Sequence, residues 1–164
     1  MVTLADRKIG TNFLVNIINL RQSVPQNIEK SQRGIQQDYN AYVEYMSARC
    51  KMMKERGWKI NISNTSLPDT IEDRFKRHPS FDWDNYYTYR KFVPAVELKS
   101  YSKILVCGVF LREDVLTHFL NIKKVNPETY IVPTLSFTTK FGYDNITIDN
   151  NFHKQITISD FIYV

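Results

Sequence analysis

The run Ile104-Leu105-Val106-Cys107-Gly108-Val109-Phe110-Leu111 carries no polar or charged side chain over eight residues. It is too short to span a membrane and has the character of a central β-strand buried on both faces, which belongs in a sheet flanked by helices. The rest of the chain is long enough to supply those partners. At 164 residues it suits one domain with a real core and is short for two. Hydrophobic residues at 43% and aromatics at 13% exclude a disordered chain and favour one that contains a sheet.

Two helices are expected before that strand. Residues 1–21 are predicted as a first helix with Leu14, Ile17 and Ile18 on one face, ended by Ser23-Val24-Pro25. A longer one is predicted from about Pro25 or Ile28 to Arg56. Within it Ile35, Tyr39, Tyr42, Val43, Met46, Cys50 and Met53 recur at spacings of three and four, and Gly34 splits it or marks a break before it. Lys51, Lys54 and Arg56 crowd its last turns, where the helix dipole favours cations, and Gly57 follows as the cap.

Strands are predicted at Trp58–Ser63, in Phe81–Tyr89 entering a turn at Asp84-Asn85, at Thr129–Thr138 with Pro133 marking an edge or bulge, and at Gln155–Val164. Arg112-Glu113-Asp114 opens a short helix with Val115, Leu116, Phe119 and Leu120 as its apolar face, closed by Asn126-Pro127. The stretch Phe92-Val93-Pro94-Ala95-Val96-Glu97-Leu98-Lys99-Ser100-Tyr101 reads as a further strand. Period-two alternation then sets Glu97 and Lys99 side by side on one face. Two charges in an apolar strand are costly unless they pair or hold a metal.

A long helix, acid-bearing strands, a strand with Glu97-Leu98-Lys99, an apolar strand and a helix follow in an order that resembles the PD-(D/E)xK nuclease superfamily. The resemblance covers roughly residues 35–138 and implies an α/β fold, a central mixed β-sheet flanked by helices, restriction-endonuclease-like, here with a helical N-terminal part. It divides the single domain 1–164 into an N-terminal helical extension at 1–34, a nuclease-like core at 35–138 and a C-terminal strand region at 139–164. It further implies hydrolysis of phosphodiester bonds with Mg²⁺ or Mn²⁺. Asp82 and Glu97 would be metal-binding carboxylates, the Leu98 carbonyl a further ligand, Lys99 the motif lysine and Glu44 an additional acid. Two converging carboxylates suit a hard cation, and a nearby lysine orients the metal's water or stabilises developing charge. The family's literal Pro-Asp falls at Pro68-Asp69, 28 residues before Glu97, so Asp84 and then Asp69 are the substitutes for Asp82.

A net charge of +5 and a pI of about 9.1 favour a polyanionic partner. The expected partner is DNA, with RNA as the alternative, held by Lys51, Lys54, Arg74, Lys76, Arg77, Arg90 and Lys91. A homodimer is the simple way to cut both strands of a duplex. The rival expectation is a non-enzymatic basic module, binding nucleic acid or protein, in which Glu97 and Lys99 only pair at a sheet rim.

Cys50 and Cys107 are too few for a disulfide framework or a zinc site, which points to a reducing cytoplasmic setting. Phe13–Leu20 is interrupted by Asn16 and Asn19 and is not expected to be a signal peptide, and no membrane partner is expected. His78, His118 and His153 show no ligand spacing, and no glycine-rich phosphate loop is present.

Overall fold

The computed structural model describes residues 12–20, 30, 33–64, 83–87, 93–137 and 158–162. They build five strands: β1 Phe13–Ile18, β2 Lys59–Ser63, β3 Asn85–Tyr87, β4 Lys103–Gly108 and β5 Thr129–Ile131. Their spatial order is β3-β2-β1-β4-β5, and every described strand pairing is parallel. The α/β expectation therefore stands, while the described sheet is parallel where a mixed one was expected. Parallel neighbours need crossover connections, so the strands of this sheet are joined over its faces and not by tight turns.

β1 lies at the centre of the sheet, inside the segment expected to be a helical extension. All six of its residues are buried. Leu14 and Ile18 face one layer and Phe13, Val15 and Ile17 the other. A run apolar on both faces contains helical spacings by default, and those spacings carried the misreading.

Helix α1, Ile35–Glu55, covers one face of the sheet. Its buried residues are the seven picked out by the sequence spacing. Gly34 stands at its N-cap with φ 82°, the break expected there, and separates this helix from the helical Lys30 before it. Tyr42 donates its hydroxyl to the Leu135 carbonyl at 2.8 Å, tying the helix to the chain beyond β5.

Helix α2, Ala95–Ser100, and helix α3, Leu116–Val125, cover the opposite face. A π-helical turn at Leu111–Val115 leads into α3. The α2 segment corrects the expected strand at Phe92–Tyr101. Pro94 fixes the entry at the N-cap, and Ala95, Glu97, Leu98 and Lys99 are good helix formers. Val93, Leu98 and Tyr101 are buried, whereas Val96 is 84% exposed, which a core strand would not tolerate.

After β5 the chain turns through a 3₁₀ segment at Pro133–Leu135, so the strand expected to continue to Thr138 stops at Ile131. Proline cannot donate to a ladder, which ends the pairing there. In place of the closing strand the described part of 155–164 has a 3₁₀ turn at Ile158–Asp160 and one bridge from Phe161 to Ile131. Lys123 and Asp160 pair at 2.9 Å and fasten this turn to α3. No described helix is long and apolar enough to cross a membrane.

Candidate functional site

With α1 on one face and α2 and α3 on the other, the chain leaves β1 toward one layer and leaves β4 toward the opposite one. β1 and β4 are neighbours, so their C-terminal ends form the point at which the winding direction reverses. Ligands of open α/β sheets sit in the crevice outside the strand ends at such a point.

Several polar groups meet here. Asn19, the residue after β1, has φ 55° and donates its backbone N–H to the Ser63 carbonyl at 2.8 Å. Asparagine is among the few residues that adopt this left-handed conformation readily. Its side-chain amide donates to the Asp114 carboxylate at 2.6 Å, across 95 positions of sequence. Asp114 comes from the turn that leads from β4 into α3, whose N-terminal end favours a negative charge. His118 lies four residues further on, one helical turn along the same face. Burial pushes its imidazole below the usual histidine range, and the nearby Asp114 charge pulls the other way. Asn64, buried at the end of β2, donates its N–H to the Tyr87 carbonyl at 2.8 Å and extends the polar rim toward β3.

Gly108 closes the floor. It ends β4 with φ 129°, and the following Val109 donates its N–H to the Ile18 carbonyl at 2.9 Å. The Val109–Phe110 peptide is cis. Ser136 donates its hydroxyl to the Val132 carbonyl at 2.8 Å, and Phe137 donates its N–H to the Gly108 carbonyl at 2.8 Å. The β4 end is thus fixed by hydrogen bonds on both sides.

Chemically, Asp114 is an acceptor held in one orientation by Asn19. The neighbouring imidazole is biased to the neutral form, able to take or give a proton. His118 is expected to titrate below the free-histidine midpoint in a proton NMR pH series. Its folded-state value is lowered, so the associated stability is present above the unfolded value and is lost as pH falls through the folded one. Asp114→Asn removes the charge that opposes burial and moves the midpoint lower still; a midpoint that rises in the variant contradicts this arrangement.

The residues expected to form a metal site are arranged otherwise. Glu97 and Lys99 lie two positions apart on a helix, about 200° around its axis, so they do not share a face. The Glu97 carboxylate accepts from the Tyr101 hydroxyl at 3.2 Å and the Tyr87 hydroxyl at 3.4 Å. The Leu98 carbonyl accepts from the Asn126 amide at 2.8 Å. Glu44 is exposed on α1, which covers the opposite face of the sheet from α2. Asp84 is held by Lys54 at 2.7 Å and by the Ile60 N–H at 2.8 Å. Its burial favours the neutral acid, but these partners and Lys59 outweigh it and lower its pKa. Among the described residues no group of three His, Cys, Asp or Glu side chains could hold a metal ion.

Of the expected phosphate-binding cations, Lys51 is exposed on α1 and Lys54 is paired with Asp84. Asp82, Asp69, Arg74, Lys76, Arg77, Arg90 and Lys91 lie outside the described residues. The polar groups at the strand ends escaped sequence reading because Asn19 and Asp114 show no short spacing; only the parallel pairing of β1 with β4 joins them.

The described residues define a doubly wound parallel α/β fold with a polar cluster at its switch point. Compared with protein-family models, curated proteins and solved structures, the chain shows no match.

Proposed function

We propose that this chain binds a small polar molecule in the crevice between the ends of β1 and β4, with Asp114 as the acceptor and His118 as the proton carrier. The observation that carries the reading is the 2.6 Å bond from Asn19 to Asp114, which bridges the two strand ends where the winding reverses. The sequence that follows β1, Asn19-Leu20-Arg21-Gln22, lacks the glycines that bring a backbone against a dinucleotide pyrophosphate. That favours a compact ligand over a dinucleotide. Its test is a thermal-shift survey of wild type and Asp114→Asn with nucleosides, sugars, amino acids and small carboxylic acids. A compound that stabilises wild type and loses at least about tenfold in affinity in the variant, equivalent to about 1.4 kcal/mol, is the expected result. A binder indifferent to Asp114→Asn, or a survey without a binder, overturns the reading.

The second reading is the Mg²⁺- or Mn²⁺-dependent nuclease on a restriction-endonuclease-like fold. Its support is the sequence pattern and the net charge of +5. Metal-dependent cutting of supercoiled DNA that Glu97→Ala with Lys99→Ala abolishes would favour it over the crevice. A basic binding module would instead hold DNA with salt-sensitive affinity and leave it intact.

A further inference from the structure

β2 has two different faces. Ile60 and Ile62 point into the α1 layer, while Asn61 and Ser63 point toward the α2 layer, and all four are buried. A parallel strand covered on both sides is ordinarily apolar on both. The neighbouring strands continue the polar row in register: Asn16 and Asn85 flank Asn61, and Tyr87 lies beside Ser63. Ser63 donates its hydroxyl to Asn16 Oδ1 at 3.0 Å, and Asn85 donates its amide to Asn61 Oδ1 at 3.0 Å. Beyond Tyr87 the row reaches Glu97 and Tyr101 on the α2 side.

One atom in this row is left over. Asn61 is 0% exposed, and its Nδ2 has no hydrogen-bond partner among the described residues. Turning the Asn61 and Asn85 amides over together would only exchange the orphan donor for an orphan acceptor. Either way a buried polar atom of Asn61 lacks its partner, a condition that costs about 1 to 3 kcal/mol unless something fills it.

We propose that this row is an arm of the switch-point crevice that takes a hydroxyl group of a small neutral sugar or polyol, with Asn61 as its anchor; the proposal rests on the crevice reading. A hydroxyl both donates and accepts, so it satisfies Asn61 in either amide orientation. Glu97 is the one charged side chain among the described members of the row, which disfavours an anion such as phosphate. The row runs from mid-sheet to Ser63 and Tyr87, the last residues of β2 and β3, and so ends at the edge where Asn64 and Asn19 lie.

The test is a titration of ¹⁵N-labelled protein with D-ribose and with glycerol at tens of millimolar, following the side-chain amide signals of Asn61 and Asn19. A saturable shift of the Asn61 signal with either probe is expected. Asn61→Leu, of similar volume and free of the orphan atom, should fold and lose that binding by tenfold or more. No saturable shift of Asn61 in wild type overturns the proposal and assigns the row to a bound water. So does unchanged binding by Asn61→Leu. If shifts appear at Asn19 and skip Asn61, the crevice stands and the arm falls; if they appear at Asn61 alone, the arm binds but the shared crevice falls.

Discussion

Gly108→Ala is expected to lower stability by on the order of 3 kcal/mol or more, one of the largest effects of any single methyl group added to this chain. Gly108 ends β4 at φ 129°, a conformation that a side chain strains wherever there is room for it. Here there is no room. A Cβ would overlap the Ile18 carbonyl oxygen and lie 2.6 Å from the Ile18 nitrogen, and both atoms belong to the backbone of the central strand. That same carbonyl accepts the Val109 N–H, so relief would have to come from parting β1 and β4 at the crevice floor. Urea unfolding of the variant should show a much lower midpoint. A midpoint equal to wild type would mean that β1 and β4 do not approach as described.

Asn126→Ala is expected to cost roughly 2 to 4 kcal/mol. Asn126 is buried, and its side chain holds three backbone groups from separate places. Its amide donates to the carbonyls of Leu98 at 2.8 Å and Tyr101 at 3.0 Å, and its Oδ1 accepts the Glu128 N–H at 3.0 Å. Truncation strands two buried carbonyls and the N–H that shapes the approach to β5. The end of α2 would lose its tie to the end of α3. Thermal and urea unfolding measure the loss, and Asn126→Asp should fail to rescue it, because a carboxylate keeps the acceptor but supplies no donor to the carbonyls. Rescue by Asp would show that the two carbonyl bonds contribute little.

Much of this architecture is legible in the sequence, and the misreadings have physical causes. The α1 stripe is plain because only one side of that helix is buried, so all seven of its core residues follow the helical period. The alternating β2 segment, the apolar β4 run and the helix entered through Asp114 are legible for similar reasons. β1 is not, because burial on both faces removes the polar contrast that periodicity needs. α2 is a six-residue helix with a single buried residue inside it, Leu98, so tertiary contacts decide its conformation and an alternation of charges at Glu97 and Lys99 imitates a strand. Asn126 shows in the sequence as a helix terminator; its hold on Leu98 and Tyr101 depends on the packing of α2 beside α3.

The candidate site is less legible still. Glu97-x-Lys99 is a compact pattern, and it drew the reading toward one segment. The cluster at the strand ends is assembled from Asn19, Asn64, Asp114 and His118, which only the sheet order brings to one edge. The polar face of β2 was half visible, since Asn61 and Ser63 alternate with Ile60 and Ile62 as an exposed strand face would. What the sequence withholds is that this face is buried.

The most direct test is to map a bound small molecule onto the backbone and side-chain amides of ¹⁵N-labelled wild type by NMR, using whichever compound stabilises the protein most in the thermal survey. Shifts centred on Asn19, Asn64, Gly108 and Asp114 are the expected result. Shifts confined to the exposed side of α1, or to Glu97 and Lys99 on addition of Mg²⁺, would contradict a ligand site at the ends of β1 and β4.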